Sequence, residues 1–147
     1  MKKALFLLTG LMMFSVIAFT QEYKVVTIVE SIVPGGMGRS RMIENKTALE
    51  VDNFTTERND GKKSSMKDVD RGDLKVEMFK ETKLLNFFSL VGINFQNIAS
   101  NDALIESKIN ALTKEGWKLA FVTSAVESDA GKQDGDGIFI TRMFFSK

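Results

Sequence analysis

The chain of 147 residues contains no cysteine and no histidine. Their absence excludes a disulfide, a thiol nucleophile, a lipid on cysteine, an imidazole general base and a zinc site built from these ligands. A single proline and 11 glycines exclude collagen-like and proline-rich architectures. Charge of one sign is lacking too: 20 Lys and Arg face 19 Asp and Glu. Such a balance gives no support to generic nucleic-acid binding or steering of a polyanion. What remains is ordinary for a folded domain, 44% hydrophobic and 27% charged, and the length fits one domain.

The one long apolar run stands at the start. Lys2 and Lys3 precede Ala4 to Phe19, broken by Thr9, Gly10 and Ser15, and Ala18 and Thr20 are small residues before Gln21. This is the layout of a secretory signal peptide over residues 1–20, and the run is short for a spanning helix. Cleavage there takes 20 residues and two of the basic side chains, leaving 127 residues with 18 basic against 19 acidic, a charge of −1. No cysteine follows to anchor a lipoprotein. The expectation is an exported protein, periplasmic or secreted, with a single domain over 21–147 and no transmembrane span after cleavage.

Tyr23 to Val33 is β-branched and apolar on both faces, which predicts a strand covered at least partly on both sides, stopped by Pro34, Gly35 and Gly36. A short strand is predicted over Arg39 to Ile43. Residues 53–73 are polar and predict a mobile loop. Leu49, Val51, Phe54 and Arg58 recur as Leu74, Val76, Phe79 and Lys83, compatible with chance or with two similar strands flanking that loop. Leu84 to Phe95 is the most apolar segment after residue 20, and periodicity leaves strand and short core helix open.

Asn101 to Glu115 predicts a helix, capped by Ser100 or Asn101, with Ile105, Ile109 and Leu112 as its buried stripe and Gly116 as its left-handed cap. Trp117 to Ser124 and Ile138 to Phe145 follow as strands around the polar turn Asp129 to Gly137. Trp117, Leu119 and Phe121 are predicted to share a face. These elements predict an α+β fold, an antiparallel sheet with one main helix packed on it. The predicted core is Val25, Val29, Ile105, Ile109, Leu112, Trp117, Leu119, Phe121, Ile140 and Phe144.

Three pieces, YKVV at Tyr23 to Val26, EGWKL at Glu115 to Leu119 and IFITRMFF at Ile138 to Phe145, resemble a family of small uncharacterised bacterial domains. Its members open on such a strand, have a Gly-Trp-x-Leu centre after a helix, and close on an aromatic strand bearing a basic residue. SIVPGGMGRSR and LLNFFSLVGINFQNIASND resemble uncharacterised exported proteins of Gram-negative bacteria. The resemblance covers the chain in pieces, and Arg39 to Phe95 departs from the first family. It implies a compact α+β sheet fold. It brings no activity, cofactor or catalytic residue.

The candidate site is a weak anion cradle, Gly35, Gly36, Gly38, Arg39, Ser40 and Arg41. Glycines free backbone N–H groups to converge on a phosphate or carboxylate, and arginines add charge-assisted bonds. The order lacks the P-loop lysine, and the bland reading is a turn ending the first strand. Asp134 to Gly137 is half of a calcium loop without its later carboxylate, so a hairpin turn is the expectation and no metal or cofactor is assigned. Asp68, Asp70, Asp73, Glu77 and Glu81 supply carboxylates in no selective spacing. Ser40, Ser64, Ser65 and Ser124 have no histidine partner. Met37, Met42, Met66, Met78 and Met143 suit core filling better than copper. Trp117, Tyr23 and Phe139 form either core or a binding platform.

The reading is a non-catalytic binding or interaction module of the cell envelope. Its partner is an envelope protein or a small anionic ligand, met through the glycine–arginine loop or the apolar Leu84 to Phe95 segment. One rival is a small enzyme acting on an anionic substrate through carboxylates and Arg39 or Arg41. That rival requires a cavity where one of these arginines meets a carboxyl of raised pKa. The other rival is a purely structural, surface-associated protein.

Overall fold

A computed structural model describes residues 21–31, 40–58, 60–126 and 137–147. The expected signal peptide, Gly35 to Arg39 and the Asp129 to Asp136 turn lie outside the described residues. Strand β1 (Tyr23–Ser31) pairs antiparallel with β2 (Arg41–Asn45), and β2 with β3 (Phe79–Lys83). Residues 46–78 contain two single-turn 3-10 segments, Val51–Phe54 and Met66–Asp68. A two-strand hairpin, β4 (Phe88–Ser89) and β5 (Gly92–Ile93), precedes helix α1 (Phe95–Lys114). Strands β6 (Lys118–Val126) and β7 (Ile138–Ser146) close the chain. The five-stranded sheet has the order β3-β2-β1-β7-β6. The fold is α+β, with one main helix and an antiparallel sheet.

Chain order makes α1 a crossover from the β3 edge to the β6 edge. Five strands at about 4.8 Å spacing span about 19 Å between the outer two. A 20-residue helix is about 30 Å long and crosses that width with length to spare. It begins six residues before the predicted start, because Asn94 caps it by accepting from the Asn97 N–H at 3.1 Å. Asn101 is therefore no cap. It lies within the helix, fully buried, on the stripe of Ile105, Ile109 and Leu112. Gly116, at φ +92°, ends the helix as predicted.

The helix sits on one face of the sheet, called inner below. The core there is Val26, Ile28, Met42, Leu84, Leu112, Trp117, Met143 and Phe145, with Ile105 and Ile109 packed against it. This corrects the predicted core, which took Val25, Val29, Ile140 and Phe144 from the opposite face. Both sets alternate along β1 and β7, so periodicity of two could not choose between them. A second correction comes from β6. The register shifts between Leu119, opposite Phe145, and Phe121, opposite Phe144. This bulge puts Leu119 on the inner face and Phe121 on the outer one. Of the two readings of the 25-residue echo, chance or two similar strands flanking 53–73, the strand pair is not found among the described residues: Val51–Phe54 is a 3-10 turn, and Phe79–Lys83 is a strand. Leu84 to Phe95 is neither one strand nor one helix; it runs from core residue Leu84 through the small hairpin to the first helical residue.

Polar anchors tie the helix to the inner face. Asn101 accepts from the Leu85 N–H at 2.8 Å, donates to the Leu85 carbonyl at 2.8 Å, and donates to Glu30 Oε1 at 3.0 Å. Glu44, 7% exposed, accepts from Lys108 of the helix at 2.8 Å and from Lys24 of β1 at 3.2 Å. Lys24 Nζ also lies 4.9 Å from the Trp117 ring centroid. Burial pushes the Glu44 carboxyl up, but the hydrogen bonds and charges of Lys108 and Lys24 outweigh it and hold the pKa below the ordinary 4.5. A lowered carboxyl pKa contributes stability above the unfolded-state value, and the contribution is lost as pH falls through the folded value. Glu44→Gln should therefore cost roughly 2 kcal/mol near neutrality. The difference from wild type should shrink to nothing in acid below the carboxylate range, as read by urea unfolding at the two pH values. A constant difference would contradict this assignment.

Candidate functional site

The outer face of the sheet is built by the alternate residues of the same five strands. Pairing sets them in rows. One row runs Glu81, Ile43, Thr27, Arg142 and Thr123 from β3 to β6. On one side lies Phe79, Asn45, Val25, Phe144 and Phe121; on the other, Lys83, Arg41, Val29, Ile140 and Ala125. No described helix or strand lies across these rows: α1 packs Ile105, Ile109 and Leu112 against the inner-face core and reaches Glu30 and Glu44 there. Tyr23 is 64% exposed, Phe121 61%, Phe79 48% and Val25 38%. Phe121 and Phe144 stack tilted at 5.9 Å between ring centroids. Strand β6 is exposed along its whole length, including Leu119, Val122 and Val126 on the inner side.

The basic side chains of the outer face differ in their partners. Arg41 donates to Glu81 at 2.6 Å across β2 and β3, with both side chains roughly two-fifths exposed. Arg142 is exposed in the middle row and has no ion pair among the described residues. The face is thus broad and mixed, with two rows rich in apolar side chains on either side of a polar one, aromatics toward one end, and near its middle a guanidinium with no ion pair among the described residues. Such a surface binds by contact area, because no wall encloses a substrate.

The expected anion cradle can be placed only in part. Gly35, Gly36, Gly38 and Arg39 lie outside the described residues. Ser40 is 1% exposed; its hydroxyl donates to Asn86 Oδ1 at 2.7 Å and accepts from the Ser31 N–H at 2.9 Å. Its hydroxyl is thus engaged in the join between β1, β2 and the segment after β3. Arg41 is turned to the outer face and held by Glu81.

Other candidates are dispersed. Asp68, Asp70, Asp73 and Glu77 are exposed on 46–78, and among the described residues no three Asp or Glu side chains gather to hold a metal ion. Ser64 Oγ accepts from the Met66 N–H at 3.2 Å, and the Lys62 and Lys63 N–H groups donate to Asp60, which lowers its carboxyl pKa. Met42 and Met143 are core, while Met66 and Met78 are exposed, so these four do not converge. Trp117 is buried, Phe139 stacks on Phe87 at 5.9 Å on the inner side, and Tyr23 is on the outer side, so the three form no common platform. An open depression on the solvent side of α1 is lined by Ala103, Glu106, Ser107, Asn110, Ala111 and Lys114.

Among the described residues the carboxyl of raised pKa is Glu30. Half-burial pushes it up, the Asn101 hydrogen bond partly opposes this, and the charge of Asp102 adds to it. Glu30 pairs across from Phe139 and turns inward, whereas Arg41 pairs across from Val29 and turns outward. The sheet itself separates them. The sequence reading missed Asn101, Glu44 and Lys108 as anchors; the available signal was Asn101 standing four residues before Ile105 on the apolar stripe.

Comparison with protein-family models, with curated proteins and with solved structures found no match. Among the described residues no helix is long and apolar enough to cross a membrane.

A raised carboxyl pKa favours the fold below the unfolded-state value, and this contribution is lost as pH rises through the folded value. Glu30→Gln keeps an oxygen acceptor for Asn101 and removes the charge. It should raise stability near neutrality by less than about 1 kcal/mol, since water screens the open side, and leave it unchanged in acid. Thermal unfolding across pH reads the crossover; a loss of stability at neutral pH would show that the charged form is the one the fold uses.

Proposed function

We propose that the chain is an exported, non-catalytic interaction module of the cell envelope, and that it meets its partner through the outer face of the sheet. The carrying observation is that face: apolar rows from Val25, Phe144, Phe121, Val29 and Ile140 with no described helix or strand across them. In one of these rows Phe79, Val25 and Phe121 stand exposed around the half-buried Phe144, and clustered apolar surface left in water is characteristic of binding surfaces. The sequence supports export through Lys2, Lys3, the apolar run and the small residues before Gln21. The absence of cysteine and histidine narrows the catalytic chemistry open to it. The rival enzyme reading needs a cavity joining Arg41 to a carboxyl of raised pKa, and it gains no support from an exposed Arg41–Glu81 pair with Glu30 on the other side of the sheet.

The test is site-specific photo-cross-linking in a Gram-negative host expressing the full chain. A photoreactive phenylalanine replaces Phe121 or Val25 on the outer face, or Val51 and Leu74 as exposed positions off the sheet. Adducts are expected from the first two and not from the others. The mature protein in the envelope or secreted fraction should begin at Gln21. No adduct from Phe121 or Val25 would overturn the assignment of the face, and unprocessed protein in the cytoplasm would overturn export.

A further inference from the structure

We propose that the occupant of the outer face is a second copy of this chain, packed sheet on sheet about a two-fold axis parallel to β1. The inference rests on the reading of the outer face as an interaction surface and names its partner. Strand order carries the argument. With β1 at the centre of β3-β2-β1-β7-β6, an axis along β1 lays β7 of one copy over β2 of the other, and β6 over β3. Position along the strands is kept, so each row meets itself in reverse order.

In the middle row this sets Arg142 over Ile43 of the second copy, one strand from its Glu81, because Thr27 pairs with both Arg142 and Ile43 and Ile43 pairs with Glu81. Aligned sheets pack about 10 Å apart, within the combined reach of an arginine and a glutamate side chain. Glu81 has its Oε1 on Arg41, which leaves Oε2 for the incoming guanidinium. The symmetry supplies this contact twice. In the next row Phe121 lies over Phe79 of the second copy and Val25 over its own counterpart. On the other side Ile140 covers the stem of Arg41, and Lys83 stays at the rim, where its ammonium reaches water.

The area is of the right order. At about 4.8 Å between strands and 3.3 Å per residue, the five strands present about 600 Å² of sheet before side-chain relief is added. A standard interface buries about 800 Å² per partner. The arrangement also covers Phe121, Phe79 and Val25, which the single chain leaves in water.

Protein purified after expression of the full chain is examined by sedimentation equilibrium over about a hundredfold range of concentration, a span wide enough to follow a mass-action equilibrium. The expected result is a monomer–dimer equilibrium. Arg142→Glu should weaken the dimer at least about tenfold, since it places like charges together at two symmetric points. Arg142→Glu with Glu81→Lys should restore much of the affinity, and Lys80→Glu on the inner face should leave it unchanged. Circular dichroism checks that each variant folds, and Phe121→Ser supplies a second disruption should the charge reversal fail to fold. A monomer at every concentration, or a dimer indifferent to both Arg142→Glu and Phe121→Ser, overturns the proposal.

The cross-linking at Phe121 separates this proposal from the reading beneath it. An adduct of twice the chain mass supports the second copy. An adduct of another mass removes the second copy and leaves the interaction face standing. A cross-link within one chain shows that its own segments cover the face and removes both, as does no adduct at all.

Discussion

One helix has two faces of a sheet to cover. A helix is about 10 Å across, and the sheet spans about 19 Å between its outer strands. The described chain has one helix of more than a single turn, and it lies entirely on one side. From that constraint come the location of the core, the exposure of β6 and the open outer face. Burial follows from what α1 reaches: Val26, Met42, Met143 and Phe145 beneath it are sealed, while Val122 and Val126 on the same face, out along β6, are not.

The choice of face is not made by hydrophobicity. The inner rows hold Val26, Ile28, Met143 and Phe145; the outer rows hold Val25, Val29, Ile140 and Phe144. Burying either set removes a similar apolar area from water. Polar attachments break the tie. Asn101 can satisfy both the N–H and the carbonyl of Leu85 only with the helix on the inner side, and Lys108 finds Glu44 only there. Placing α1 on the outer face would leave Asn101 unpaired, and a buried polar side chain without partners costs about 1–3 kcal/mol. Stability from the Glu44 cluster is moderated by its desolvation, so its larger effect is to specify which face is covered.

The fold class was legible because the strongest signals are local. Tyr23 to Ser31 is β-branched, Ile105, Ile109 and Leu112 share a helical stripe, and Gly116 ends the helix where a left-handed residue is needed. What was not legible depends on partners distant in sequence. Nothing local distinguishes Val25 from Val26, because the difference lies in contacts that Asn101 and Lys108 make with Glu30 and Glu44 across 71 and 64 residues of sequence. The bulge after Leu119 inverts the parity of β6 without any glycine or proline to announce it. Asn101 reads locally as a cap, while Asn94 does the capping. The candidate cradle was only partly recoverable: Ser40 and Arg41 are adjacent in sequence, yet one is buried against Asn86 and the other is turned outward to Glu81. The outer face was seen as a set, Val25, Val29, Ile140, Phe144 and Phe121, but was taken for core. A coherent apolar row reads identically whether a helix or another molecule covers it.

Phe144 and Phe145 put this account to its most direct trial, since they are neighbours of one residue type on one strand. Phe145 is sealed under the helix and Phe144 faces outward. Urea unfolding at protein concentrations low enough to keep chains apart compares Phe145→Ala with Phe144→Ala. The account predicts a loss of about 3–5 kcal/mol for Phe145→Ala, as for a buried phenylalanine, and about 1 kcal/mol for Phe144→Ala, as for a partly exposed side chain. Equal losses, or a larger one at Phe144, would mean that the outer face is covered within the single chain and would contradict the account.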